Sequence, residues 1–264
     1  MEYVALFQLN MVIFFVVIWK HVWHIIVYKV KEKKTRSRIN DLGSGFVMKK
    51  ILSDINNFFF KSNINNLISD LKQKNFTNKA VLKYLEIIPR EIFVEKKFFD
   101  ICYNNIPLPI DCNQTTSQPL VIANMIDYLD IKKTDLILEI GTGTGYQTSL
   151  LSYLCKHVFT IEIFEKLINQ AKINHTKLNL KNISYLLGDG SNGWNKPILF
   201  DSIIISAASK KVPIKLLKNL KTKGKIIFPK EYFPKQQKLL LLKKLNELNY
   251  SSQELFDVSF VPLL

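Results

Sequence analysis

The sequence predicts an α/β fold, a doubly wound and mostly parallel sheet, and three observations predict it. The stretch Leu136 to Thr148 reads L-I-L-E-I-G-T-G-T-G-Y-Q-T, an apolar strand running into three alternate glycines and then into a helix-like segment. Strand-like and helix-like segments alternate downstream of it. Acidic or small residues recur at the strand ends, which in such sheets is the rim where ligands bind.

Length and composition set the frame. At 264 residues the chain suits one catalytic domain plus an extension, and 47% hydrophobic content supports a sizeable core. The formal net charge of +15 would attract nucleic acid, anionic lipid or acidic peptide. The chain is also rich in Lys, Asn and Ile and poor in Ala, so the charge reads as biased composition, and no nucleic-acid partner is expected. Cys102, Cys112 and Cys155 are isolated and odd in number. That argues against a disulfide framework and a structural zinc site, and fits a reducing compartment; no metal is expected.

Residues 1–47 read differently from the rest. They carry seven Lys/Arg against three Asp/Glu. Tyr3 to Val30 is almost continuously apolar or aromatic, and Tyr3–Trp19 reaches the lower limit of about 17 residues for a bilayer span. The basic cluster Lys29 to Arg38 would place the chain beyond it on the cytoplasmic side. No charged region precedes the apolar run and no small-x-small site comes after it, so it is not a secretory signal. The alternatives are a membrane anchor, a stretch upstream of a true start at Met48, or a helix packed on a partner. The expected division is 1–47 as extension and 48–264 as catalytic domain, with 48–116 helical and 117–264 forming the cofactor-binding sheet. His21 and His24 read as part of an interfacial belt with Trp19 and Trp23.

From Met48 the elements run in order. Asn63 to Asn75 has helical spacing through Ile64, Leu67, Ile68 and Leu71, and Asn78 to Ile88 through Val81, Leu82, Leu85 and Ile88. Pro89 ends the second helix. Phe93, Val94, Phe98 and Phe99 are candidate core. Ile106-Pro107-Leu108-Pro109-Ile110 must be extended, because proline restricts itself and its predecessor. The polar run Asn113-Gln114-Thr115-Thr116-Ser117-Gln118 precedes a helix, Leu120 to Leu129. Ser117 or Thr116 would cap it with Pro119 in the first turn. A polar run between apolar segments also suits a ligand-lined loop.

At the glycine loop, Gly141, Gly143 and Gly145 permit backbone angles closed to other residues and a close ligand approach. The helix start beyond leaves amide N–H groups free for a polar ligand. G-x-G-x-x-G would indicate a dinucleotide; here the third glycine comes one residue early. The plain alternative is a structural strand-to-helix turn. His157 to Ile161 reads as the next strand, ending at Glu162, where a carboxylate would meet a ribose diol. Phe164 to Leu178 is a helix. Ile183 to Leu187 is a strand ending in Gly188-Asp189-Gly190, where an acid can reach an adenine amine. Phe200 to Ser206 is a strand ending in Ala207-Ala208. Val212 to Leu220 is a helix stopped at Gly224, and Lys225–Phe228, Lys238–Leu242 and Leu255–Val261 are further strands.

E-x-G-x-G-x-G, from Glu139 to Gly145, looks like the S-adenosylmethionine loop of Rossmann-like methyltransferases. Further motifs narrow the resemblance: Ile88-Pro89-Arg90-Glu91-x-Phe93-Val94, Gln114-Thr115-x-Ser117-Gln118-Pro119, Gly188-Asp189-Gly190, Phe200-Asp201-x-Ile203-Ile204, Ala207-Ala208 and Phe260-Val261-Pro262-Leu263. Together, from about Val81 to Leu263, they resemble the protein-L-isoaspartate (D-aspartate) O-methyltransferases. The Gln-Thr-x-Ser-Gln-Pro run is the most diagnostic.

The resemblance implies a Rossmann-like class I S-adenosylmethionine-dependent methyltransferase fold and a repair enzyme in the cytoplasm. It would methylate the free carboxylate of L-isoaspartyl and D-aspartyl residues in damaged proteins, its partners. A monomer is the default. The cofactor would be S-adenosyl-L-methionine. By family analogy Ser117 is the active-site residue, positioning the carboxylate rather than attacking. Gln114, Thr115, Thr116, Glu139, Gly141, Gly143, Gly145, Glu162, Ile163, Asp189 and Gly190 would surround the cofactor. A carboxylate is already ionised near pH 7, so its methylation needs no general base. The sequence departs from the family at Asn113, where members usually carry Gly, and at Ser259, where they often carry Arg before Phe-Val-Pro-Leu. Ser209, Lys210 and Lys230 also depart, which bears on substrate affinity more than on fold.

Overall fold

A computed structural model describes residues 62–234 and 236–264, and residues 63–264 fall in one compact unit. The expectations for residues 1–47, membrane contact included, lie outside the described residues. Among those described, no helix is long and apolar enough to cross a membrane.

Helix α1 spans 62–73 and buries Leu67 and Leu71. Asn75 ends it at φ 62°, and the Phe76 N–H donates to the Leu71 carbonyl at 3.0 Å, closing the last turn. Helix α2, Lys79–Ile87, starts where the Asn78 side chain accepts from the N–H groups of Ala80 and Val81. Its stop is Ile88, extended ahead of Pro89. Two 3-10 turns come next, Arg90–Phe93 and Lys96–Ile101. Only Phe93 of the four expected core residues here is fully buried. Val94, Phe98 and Phe99 are half-buried, because short turns offer no continuous inward face.

The Pro-rich segment forms strand β1, Leu108–Ile110, paired antiparallel with β2, Gln114–Thr116. The polar run expected as a loop is therefore half strand, and the segment before residue 117 is not wholly helical. Cys112 and Asn113 make the turn at φ 60° and 56°. Asparagine tolerates this left-handed conformation, so the departure from glycine at 113 keeps the turn. Helix α3, Pro119–Leu129, has proline in its first turn as expected, but neither Thr116 nor Ser117 caps it. The Leu120 N–H instead donates to Oδ1 of Asn105 at 2.9 Å, a cap from fifteen residues upstream.

The main sheet comprises β3 (Leu136–Ile140), β4 (His157–Glu162), β5 (Ile183–Leu187), β6 (Phe200–Ile205), β7 (Leu220–Phe233), β8 (Gln236–Lys244) and β9 (Tyr250–Val258), in the order β5-β4-β3-β6-β7-β8-β9. β3 to β7 are parallel, while β8 and β9 add antiparallel pairs at one edge. Helices α4 (Tyr146–Leu154), α5 (Glu165–Lys177) and α6 (Ile214–Lys218) make the crossovers. Leu138, Ile140, Ile161, Phe200, Ile203, Ile205, Leu220, Ile226, Phe228 and Leu240 form the sheet's part of the core, with Val212 and Leu216 packed on them.

Three boundaries differ from the sequence reading. α6 is five residues long and opens after Pro213. β7 begins already at Leu220, and Gly224, read as a helix stop, lies inside it. There β7 shifts register against β6 between Phe200 and Ser202, and a side chain at Gly224 would meet the Asp201 carbonyl at 2.9 Å. β9 starts at Tyr250 and stops before Phe260, because β8 pairs with it from Tyr250 to Val258. Asp201 ties the amino ends of β3 and β6 together: its Oδ2 accepts the Leu136 N–H at 2.8 Å and its carboxylate pairs with Lys221.

Candidate functional site

The order of strands reverses direction beside β3, between β4 and β6. A cleft of about 830 Å³, open solvent included, lies at the carboxyl ends of these strands. Its first wall is the glycine loop, Gly141 to Thr144, and its second is the end of β4, Glu162 to Phe164. The β1–β2 hairpin faces them with Gln114, Thr115, Thr116 and Ser117. The remaining wall is Ser206, Ala207 and the segment Val261–Leu264. That last segment is held by the Ala208 N–H donating to the Val261 carbonyl at 2.7 Å and the Leu263 N–H donating to the Ala208 carbonyl at 2.8 Å. The Gln237 side-chain amide clasps the Phe260 main chain at both its N–H and its carbonyl.

Nine of the twelve residues expected at the site line this cleft: Gln114, Thr115, Thr116, Ser117, Gly141, Gly143, Glu162, Ile163 and Gly190. Glu139, Gly145 and Asp189 do not. Glu139 is fully buried under the loop, accepting from Thr148 Oγ1 at 2.5 Å, Thr160 Oγ1 at 2.7 Å and Gln147 Nε2 at 3.0 Å. Burial pushes its carboxyl up to about 7, against the pull of those three donors. Gly145 packs instead on His175: a side chain there would stand 2.4 Å from Nε2 of the imidazole. That nitrogen donates to the Gly145 carbonyl at 2.8 Å. The Asp189 carboxylate caps its own turn, accepting the Ser191 N–H and hydroxyl and the Asn192 amide.

Glu162 occupies a different position. One of its oxygens accepts the Gly143 N–H at 2.8 Å and the other accepts the N–H groups of Ile163 and Phe164 at 2.9 and 3.1 Å. An ionised carboxylate offers about four acceptor sites, so capacity remains for hydroxyl donors from the cleft. Gly143, at φ 56°, leaves open space where its side chain would be, with only Ile110 Cδ1 at 3.4 Å.

Sequence reasoning missed Arg90. It is wholly buried, and its guanidinium donates to the carbonyls of Cys102 (2.7 Å), Asn104 (3.2 Å), Ile106 (3.4 Å) and Ser117 (3.0 Å). The Arg in the Ile-Pro-Arg motif was the only signal for it. The terminal wall was also missed as cleft lining. Of the departures, Ser259 is exposed and outside the cleft lining, while Ser209 and Lys230 bridge one another behind Ala208.

A glycine loop after the first parallel strand, an acid ending the second and a cleft at the reversal of strand order define a Rossmann-like methyltransferase. Solved structures agree. One protein-L-isoaspartate O-methyltransferase superposes with TM-score 0.69 at 26% identity over 75% of this chain and 65% of its own. Another, from Plasmodium falciparum and in complex with S-adenosyl-L-homocysteine, does so with TM-score 0.67 at 24% identity over 78% and 98%. The family model of protein-L-isoaspartate(D-aspartate) O-methyltransferases matches residues 62–264. Protein-L-isoaspartate O-methyltransferases from Parvibaculum lavamentivorans and Paracoccus denitrificans are 38% and 40% identical. These matches cover 75% and 74% of this chain and 90% and 89% of theirs. The chain belongs to the protein-L-isoaspartate (D-aspartate) O-methyltransferase family.

Proposed function

We propose that this chain methylates the free carboxylate of L-isoaspartyl, and of D-aspartyl, residues in damaged proteins, with S-adenosyl-L-methionine as donor. The observation that carries the reading is the placing of Gln114–Ser117 across the cleft from the glycine loop, in a chain whose residues 62–264 match that family. The bound cofactor supplies a methyl group on a sulfonium, an electrophile that a carboxylate can attack unaided.

The residues present suit this cofactor. Glu162, an acceptor with capacity left, fits a ribose diol. Gly143 leaves room for close approach along the loop, and Gly141, Ile163 and Gly190 line the same cleft. Glu139 supports the loop from beneath. On the other wall Ser117 hydrogen-bonds the acceptor carboxylate, with Gln114, Thr115 and Thr116 shaping the strand that presents it. The chemistry asks the protein to align reactants and exclude water, not to move a proton. All of these groups come from one chain, so a monomer suffices. Residues 1–47 precede the matched region and take no part in the transfer.

The test is methyl transfer from labelled S-adenosylmethionine to an L-isoaspartyl peptide, beside the same peptide with ordinary aspartate. Base-labile label in the isoaspartyl peptide alone is the expected result, from the full chain and from one beginning at Met48. Equal label in both peptides, or none, would overturn the reading.

A further inference from the structure

Gln147 and Ser206 both line the cleft and meet there, Gln147 Nε2 donating to Ser206 Oγ at 2.8 Å. Gln147 stands in the first turn of α4, and the same nitrogen donates to Glu139 Oε1 at 3.0 Å. Thr148 and Thr160 take the other Glu139 oxygen. Ser206 follows β6, its N–H donating to the Ile140 carbonyl at 2.8 Å. Its Cβ lies 3.4 Å from where a Gly141 side chain would begin. Both residues are thus held against the end of β3.

Two polar functions are left turned to the cleft. An ionised carboxylate can only accept, so Glu139 fixes the amide with its nitrogen inward. Both amide hydrogens are then spent, on Glu139 and Ser206. The Gln147 carbonyl oxygen has no donor among the described residues, yet it is not one of the enclosed, partnerless atoms, so it opens on the cleft. The Ser206 oxygen accepts from Gln147, which leaves its own hydrogen uncommitted. An acceptor and a donor side by side match an α-amino acid, whose ammonium needs the first and whose carboxylate needs the second.

The order of strands says which ligand brings such a group. Glu162, which fits the ribose diol, ends β4; β3 is next to β4, and β6 lies beyond β3. Two strand spacings are about 10 Å. A cofactor with its ribose at Glu162 and its chain laid across the glycine loop brings its amino-acid end to Ser206 and Gln147.

We propose that Gln147 and Ser206 form the site for the α-amino-acid end of the cofactor, the Gln147 carbonyl oxygen accepting from its ammonium and the Ser206 hydroxyl donating to its carboxylate. This rests on S-adenosyl-L-methionine as cofactor and not on the identity of the methyl acceptor. Glu139 is then a positioning residue, because it decides which way round the Gln147 amide faces.

Two ligands test it by calorimetric titration of the full chain. S-adenosylhomocysteine carries the amino-acid end, and methylthioadenosine has the same adenosine without it. The titrations are run at pH 8, above the Glu139 value of about 7. The wild type should bind S-adenosylhomocysteine at least tenfold more tightly than methylthioadenosine. Gln147→Met keeps the length of the side chain and removes the amide. It should weaken S-adenosylhomocysteine about tenfold or more, the weight of a hydrogen bond to a charged group, and leave methylthioadenosine within about twofold. Ser206→Ala should show the same contrast, and it decides the matter alone if Gln147→Met does not fold. Equal losses for both ligands would make the pair a scaffold for the loop and overturn the proposal. So would unchanged S-adenosylhomocysteine affinity in a folded variant, or a wild type that does not distinguish the two ligands. A wild type that binds neither would overturn the cofactor assignment, and the proposal with it.

Discussion

The guanidinium of Arg90 donates to the main-chain carbonyl of Ser117 at 3.0 Å, and through three further carbonyls binds it to the segment 102–106. A wholly buried cation is costly, and here the two terminal nitrogens offset that cost by holding four carbonyls, which ties the segments carrying them together. Burial lowers the Arg90 pKa from the ordinary arginine value. Arg90 is thus a positioning residue for Ser117. Arg90→Lys keeps the charge but cannot span four carbonyls. It is expected to lower kcat/KM for an isoaspartyl peptide about tenfold or more while S-adenosylhomocysteine affinity stays within about twofold. Matched losses in both quantities would show that the whole fold, not Ser117, depends on the contact.

Ser117 itself is half-buried at the cleft wall, and its side chain carries no capping bond. Ser117→Ala should therefore leave the melting temperature within about 1–2 °C, as expected of a substitution away from core and caps. Turnover on the isoaspartyl peptide should fall about tenfold to a hundredfold, the weight of one hydrogen bond to a charged group. Steady-state kinetics decide it: a mutant with full kcat/KM would remove Ser117 from the site.

The loop glycines separate by what surrounds them. Gly143 and Gly145 both have positive φ, but only Gly145 has a neighbour within clashing distance, and that neighbour cannot yield. His175 is locked between the Gly145 carbonyl and the Tyr185 hydroxyl. Gly145→Ala should cost on the order of 3 kcal/mol of stability, combining backbone strain with overpacking. Gly143→Ala should cost about 1–2 kcal/mol of strain alone, with cofactor affinity down at least tenfold because the side chain enters the cleft. Denaturant titration and cofactor binding on both variants check the contrast. Equal stability losses, or intact binding by Gly143→Ala, would contradict it.

The parallel strands were legible because β3 and β6 are buried on both faces and read as mostly apolar runs, interrupted only by Glu139 in β3 and by Asp201 and Ser202 in β6, and the glycines mark where β3 ends. What escaped depends on partners far away in sequence. The hairpin needs Leu108–Ile110 to pair with a run that looks like loop, and the cap on α3 comes from Asn105. The wall at Val261–Leu264 exists only because Ala208 pairs with Pro262. Arg90 stood in a quoted motif, but its burial was not legible because arginine is rarely buried without an acid. Glu139 and Glu162 look alike in sequence, yet Glu139 lies inside its strand beneath the loop and Glu162 ends its strand at the cleft. Only the neighbours Thr148 and Thr160 distinguish them.

The buried position of Glu139 gives stability a defined dependence on pH. The ordinary carboxyl value is 4.5 and the folded protein holds Glu139 up at about 7, because burial outweighs the Thr148, Thr160 and Gln147 donors. Below pH 4.5 the group is protonated both folded and unfolded and imposes no penalty. Between 4.5 and 7 the unfolded chain releases its proton while the folded protein keeps it, so stability falls as pH rises. The loss approaches about 3 kcal/mol by pH 7 and levels off above it. Glu139→Gln fills the same space without a titrating proton, and its hydroxyl neighbours can rotate to meet the amide. The difference in unfolding free energy, wild type minus variant, should therefore decline across this window and stay flat above it, other titrating groups being common to both. Denaturant titrations of the two proteins from pH 4.5 to 8 measure that difference directly. A difference that is constant, or that grows with pH, would mean that the three donors hold Glu139 ionised.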